Sequence, residues 1–169
     1  MGTPARAPVP VVLQQHADDA ASLRNTRTVL VRAPHIKLHL LQRLDERLAA
    51  HLDGLVVAAD AGCDSCLAAL DSPSRGTVFA ATVIALENRD GEQLRRLLAL
   101  AAAEPISRAG VASAFGWVSA PLLRGVTKEL LDSSDPFRRD IGLSACAMHQ
   151  VMPGPALDAA FAGADGPST

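Results

Sequence analysis

The sequence predicts an all-α fold, and three observations carry that reading. Ala and Leu dominate while aromatic residues make up only 3%, with no Tyr at all. Ala and Leu are strong helix formers, whereas strands favour β-branched and aromatic side chains. The apolar runs recur at spacings of three and four, the period of a helix with one buried face. Finally, Pro73, Pro105, Pro136 and Pro167 stand 32, 31 and 31 residues apart, each after a short polar stretch. The first three are followed by Arg75, Arg108 and Arg139 and then by an apolar helical run. A fixed period near thirty residues marks stacked helical units, in which each helix pair buries its apolar face only against a neighbour.

Composition excludes several functional classes. The chain has 169 residues, 49% hydrophobic and 20% charged, which suits one folded domain with a substantial core. The formal net charge of −2 supplies no basic field for phosphates, so no nucleic-acid partner is expected. No apolar run approaches the roughly 20 residues needed to span a bilayer, so no membrane association is expected either. Met1 to Pro8 is small and Pro-rich, without a hydrophobic stretch of signal-peptide type. Three cysteines cannot all pair internally, which agrees with a reducing compartment and a cytoplasmic location.

Residues 1–8 read as a flexible lead-in, and 9–167 as a single helical domain with N-terminal helices over 9–70 and repeats over 71–167. A first helix starts near Pro10, where proline fits the first turn, and runs to Leu23 or beyond. Asn25-Thr26-Arg27-Thr28 weakens the pattern, and Val29, Leu30 and Val31 either continue the helix or form a separate turn. Ala33-Pro34 ends the segment, because proline disfavours a helical residue before it. The second helix is the clearest: Leu38, Leu41, Leu44, Leu48, Leu52, Leu55 and Val56 form one stripe. Its Leu44, Leu48, Leu52 and Leu55 are expected to face the repeats, while Asp45, Glu46 and Asp53 face solvent or a partner. Gly54 inside this helix permits the close approach of another. Asp60-Ala61-Gly62 ends it, and a short helix follows from Cys63 to Leu70.

Three helix pairs are then expected: Gly76–Glu87 with Gly91–Ala102, Ser107–Val118 with Pro121–Leu131, and Phe137–Gln150 with Pro155–Ala162. Shifting the second pair by 31 residues sets Arg108 on Arg139, Ala114 on Ala145, Trp117 on Met148 and Leu130 on Phe161. Asp135-Pro136 is a strong start signal, since the Asp accepts an orphan backbone N–H and proline has none to lose. Pro167 would open a further unit.

The candidate chemical motifs are weak. Cys63-x2-Cys66 has metal-ligand spacing, but a structural zinc site needs four ligands and only distant Cys146 remains; the three cysteines read as buried or half-buried helix residues. His35-x3-His39 could share a helical face, yet no third ligand is near. His16 precedes Asp18-Asp19 and His51 precedes Asp53, with poor spacing for acid–base work and no nucleophile. His149 closes its helix, where a cation suits the dipole. The repeated arginines read as first-turn groups bonding carbonyls or acids of the neighbouring unit, with an acidic-partner surface as the second reading. Trp117 reads as core, aligned as it is with Met148.

His16-Ala17-Asp18-Asp19-Ala20-Ala21 through Val31-Arg32-Ala33-Pro34-His35, and Leu44-Asp45-Glu46-Arg47-Leu48 continuing to His51-Leu52-Asp53-Gly54-Leu55, resemble the N-terminal region of a proteobacterial family of HEAT-repeat-like proteins. Gly142-Leu143-Ser144-Ala145-Cys146 with Pro153-Gly154-Pro155-Ala156-Leu157 is similar to that family's first repeats. The resemblance spans about residues 9–167. It implies an N-terminal helical hairpin followed by a short HEAT-like α-solenoid of about three helix pairs. It also implies a place near type VI secretion components, as an accessory, adaptor or immunity protein, and supplies no catalytic residues. The resulting expectation is a non-enzymatic, protein-binding scaffold without cofactor or metal. Glu46, Asp53 and Arg108 are its candidate contact residues, and another protein, an effector or toxin, is its partner. The remaining alternative, a metal-dependent enzyme, would rest on His16, His35, His39, His51 and the cysteines.

Overall fold

A computed structural model describes residues 8–158. Among these residues the regular structure is helical throughout, with no strand. The helices are α1 (Pro10–Leu30), α2 (Leu38–Val57), α3 (Asp60–Ala68), α4 (Arg75–Glu87), α5 (Gly91–Ala103), α6 (Pro105–Trp117), α7 (Val126–Leu131) and α8 (Pro136–Met148). Single 3-10 turns occupy Ala69–Asp71 and Ala120–Leu123. The all-α expectation is met. The chain divides into two compact units, and the division falls within α6, between Ala114 and Phe115.

In the first unit α1 packs against α2, α3 and α4. Proline at its first position starts α1 as expected, and the helix continues unbroken through Asn25–Thr28. Arg24 and Thr28 support each other there: the guanidinium donates to the Thr28 hydroxyl, which donates to the Arg24 carbonyl. The buried face of α1 is made of small residues, Ala17, Ala20 and Ala21, with one leucine, Leu13. That face has little hydrophobic contrast but lets backbones come close. Gly76 of α4 sits so near that an added Cβ would overlap the Ala21 carbonyl oxygen.

The leucine stripe of α2 is buried, with Leu44, Leu48, Leu52 and Leu55 all facing inward, although α2 packs chiefly on α1 and less on α4, the first helix of the expected repeats. α2 ends at Val57 with Ala58 as its cap, and Ala59 takes a positive φ of 50° to turn the chain into α3, so Asp60-Ala61-Gly62, expected to end α2, instead opens the next helix. α4 is buried on every side from Val78 to Leu86, the mark of a central helix. Ser74 and Thr77 cap it reciprocally, each side chain accepting the other residue's backbone N–H. α5 starts on Asp90, whose carboxylate accepts from the Glu92 and Gln93 amides. The expected Gly76–Glu87 and Gly91–Ala102 thus appear as α4 and α5, each within one residue. α6 follows directly at Pro105, and Gly110 approaches α4, where a Cβ would stand 2.6 Å from the Arg75 carbonyl oxygen.

In the second unit α7 packs on α8. The expected single helix over Pro121–Leu131 is split. The 3-10 turn Ala120–Leu123 gives way at Gly125, with φ 85°, before α7 begins. Six residues of α7 leave only a short partner for α8. α8 starts at Asp135-Pro136 as expected, with the Asp135 carboxylate accepting from the Phe137 amide. Phe115 is fully buried, whereas Trp117, expected in the core, is only half-buried and Met148 is exposed. Residues 155–158 are helical; the remainder of the last expected helix, with Phe161 and Pro167, lies outside the described residues.

Two glycine substitutions separate backbone contact from propensity. Gly76→Ala forces a Cβ into the backbone of α1, so it is expected to cost about 1–3 kcal/mol or more in urea unfolding. Gly91→Ala meets nothing within 4 Å at the first turn of α5 and is expected to be neutral or to stabilise by up to about 1 kcal/mol.

Candidate protein-interaction face and the seam beneath it

α2 has two working sides. Its inward leucines fix the helix, and Gln42, Arg43, Glu46, Arg47, Ala50 and Asp53 are exposed along the other side. Glu46 accepts from the Gln42 amide at 3.0 Å, one turn back. Leu38 and Val57 at the two ends are 81% and 86% exposed. Of the three acids expected to face outward, Glu46 and Asp53 do so and Asp45 does not. Asp45 follows the buried Leu44 and lies at the edge of the leucine stripe, within reach of the last turns of α1. Both its carboxylate oxygens accept from Arg27, from Nε at 2.6 Å and from Nη2 at 3.1 Å. The pair stays about a third exposed, so water screens it and its net worth is about 1 kcal/mol or less.

One turn earlier on α1, Arg24 lies over the Phe79 ring of α4 at 5.1 Å from the centroid. Burial, then the neighbouring Arg27 and Arg75, push its pKa down from the usual guanidinium value. Farther towards the N-terminus His16 meets His51, with their Nδ1 atoms 2.9 Å apart. Asp19, rather than Asp18, stands near this pair: its carboxylate is 3.9 Å from His51 Nε2. Gly54 makes room, since a Cβ there would come within 3.2 Å of His16 Nε2. Sequence reasoning noted each histidine beside its own acids and missed their pairing. A signal existed, because His16 and His51 are equidistant from the Ala33-Pro34 bond about which the hairpin folds.

The other candidates are placed apart. His35 lies in the loop before α2 and His39 on its first turn, both exposed. Among the described residues, no group of three or more His, Cys, Asp or Glu is placed to hold a metal ion. Cys66 and Cys146 are buried and Cys63 half-buried, in line with the helix-packing reading of the three thiols. Burial, with a smaller contribution from Cys63, pushes the Cys66 thiol up to about 12. Cys63 is also raised, by burial and then by Asp90, Asp64 and Asp60. Arg108 of α6 donates to the Ala101 and Ala102 carbonyls at 3.1 and 3.0 Å, capping the end of α5. Arg139 does the same for the Ser133 carbonyl at 2.9 Å. Two of the three repeated arginines, Arg108 and Arg139, thus close the end of the preceding helix or its following turn.

The second unit has its own concavity, of about 380 Å³, between the Ala120–Leu123 turn and α8. Leu123, Ala145, Cys146 and Val151 give it apolar walls, and Thr127 and His149 are the polar groups beside Arg124. His149 donates from Nε2 to the Phe115 carbonyl at 2.7 Å, which fixes its tautomer and orients the ring. Burial raises the Cys146 thiol, so this wall presents a neutral sulfhydryl rather than a nucleophile.

No protein-family model matches the chain, and no curated protein and no solved structure matches it.

Thiol chemistry checks the burial. At about pH 8 a water-soluble alkylating reagent is expected to modify Cys63 first and Cys66 only on unfolding. Because the folded Cys66 thiol lies above its unfolded value, its contribution to stability is full below about pH 9. It is then lost as pH rises towards about 12, which an alkaline unfolding series would record.

Proposed function

We propose that this chain is a non-enzymatic protein-binding scaffold whose working surface is the outward face of α2. One observation carries the reading. Gln42, Arg43, Glu46, Arg47 and Asp53 lie exposed on a helix whose opposite side is held by four buried leucines. A rigid helix with apolar ends at Leu38 and Val57 and charges between them suits an interface in which a few anchors give affinity. The surrounding charges then steer association and select the partner. Arg108 belongs to the same reading as a charged edge position, its guanidinium spreading over the end of α5.

The family resemblance narrows this to a HEAT-like helical scaffold serving as accessory or adaptor protein for a type VI secretion effector. The test is co-purification with an effector encoded beside its gene. A neighbouring toxin that kills only when this protein is missing would assign the immunity role instead. Reversal of both acids, Glu46→Lys with Asp53→Lys, is expected to weaken capture by about tenfold or more, about 1.4 kcal/mol. It should leave stability within about 0.5 kcal/mol of the parent, as exposed sites do. Wild-type affinity in the doubly reversed protein across a range of salt concentrations would remove α2 from the interface.

A further inference from the structure

We infer that His16 and His51 form a one-proton latch across the α1–α2 seam, which holds with no added proton or one and opens with two. The rings meet edge to face, with centroids 5.1 Å apart and planes at 64°. Their closest atoms are the two Nδ1 nitrogens, 2.9 Å apart. A hydrogen bond between two identical ring nitrogens needs an N–H on one side and a lone pair on the other. The Asp19 carboxylate, 3.9 Å from His51 Nε2, favours the proton of His51 at that atom. His51 Nδ1 is then the acceptor, and His16 donates from its own Nδ1. The donation runs from His16 to His51, with the Asp19 carboxylate beside the far nitrogen of His51.

Proton counting follows from this order. A first added proton goes to His16 Nε2, the ring nitrogen that faces Gly54 and takes no part in the contact with His51, and the Nδ1–H donor is undisturbed. A second can go only to His51 Nδ1. Two N–H groups would then point at each other across 2.9 Å, and the contact must break. The site is open to the proton, since the His51 side chain is 22% exposed and that of Asp19 41%. The other charged groups of the packed elements are engaged elsewhere or exposed. On α1, Asp18 is exposed and accepts from Gln14, and Arg24 and Arg27 reach Phe79 and Asp45. On α2, Asp53 is exposed, while on α3 Asp60 and Asp64 act on Cys63. Arg75 of α4 acts on Arg24. Asp19 is the charged group that stands beside the pair.

Imidazoles ordinarily take up protons below about pH 6.5. There the unfolded chain holds two protons on these rings, and the folded chain with the latch closed holds one. The folded state binds fewer protons, so stability falls as pH falls. The limit is about a tenfold drop in the folding constant per pH unit for one missing proton. Above that range neither state is protonated and the effect vanishes. The loss is local to the first half of α1 and the last turns of α2, because the two-bond Arg27–Asp45 pair ties the far end of the seam.

The test is urea unfolding of the full chain between about pH 7.5 and about pH 5.5 at fixed ionic strength, across the histidine range. His16→Asn and His51→Asn are compared with the parent. An asparagine amide can turn to donate or to accept, so each variant keeps the contact whatever the remaining ring carries. The parent is expected to lose up to about tenfold in folding constant per pH unit relative to both variants. Parallel pH curves for all three proteins overturn the latch. If the variants do not fold, hydrogen exchange on the parent decides. Protection lost in acid around residues 13–20 and 48–55 but kept in α5 supports the latch, and a uniform change across the helices overturns it.

Discussion

Gly76 and Ala21 bring two helix backbones into direct contact, and the arrangement of the first unit depends on that approach. A longer side chain at either place would hold α4 away from α1. Phe79 would then leave the reach of Arg24, and α1 would lose the cover of its alanines. Small residues stabilise here by what they permit. Ala17 and Ala20 bury little area themselves, at about 25 cal/mol per Å² of apolar surface. They let the larger Leu48, Leu52, Phe79 and Ile84 close around them with almost no exposure. α4 is the consequence: wrapped by neighbours, it keeps one polar side chain, Thr82, fully buried, and that hydroxyl donates back to the Val78 carbonyl at 2.7 Å.

What could be read in the chain follows from how each helix is buried. α2 lies at a surface, so its leucines stand out against polar neighbours and its start was legible, whereas its end was placed at Asp60–Gly62, three residues late, because nothing local marks the turn at Ala59. α8 was legible at its start because Asp135-Pro136 is a local signal needing no tertiary context. α1 was legible at its proline but not at its end. Asn25 to Thr28 looked like a break because its stabilisation comes from Arg24–Thr28 bonding and from Asp45, eighteen positions away. The split between the 3-10 turn Ala120–Leu123 and α7 was missed for the converse reason. Pro121 and Gly125 each tolerate a helix start, and only the positive φ at Gly125 decides against continuity.

The candidate site was half legible. Glu46 and Asp53 emerge where helical periodicity puts them, on the side opposite Leu48 and Leu52. Asp45 could not be separated from them by periodicity alone. It sits on the border between the two sides, and the presence of an arginine on the facing helix settles a border residue's direction. Arg108 shows the reverse. Its recurrence with Arg139 suggested a role in the repeat, and both guanidinium groups do reach back to carbonyls before their own helix. The histidine pair required the hairpin itself, since neither ring has a meaningful partner within one turn of its own chain.

α2 is therefore held by three kinds of contact that respond to different conditions. The leucine stripe depends on apolar burial and ignores salt and moderate acid. The Arg27–Asp45 pair, a third exposed, weakens as salt screens it. The His16–His51 contact is lost when both rings are charged. These contacts lie at different points along the seam, with the ion pair towards the α1–α2 loop and the histidines towards the open end. A change in one condition thus loosens one end of the helix while the leucines keep its face in place. A surface helix tied in this way can present the same outward residues with a different stiffness at each end, without leaving the fold.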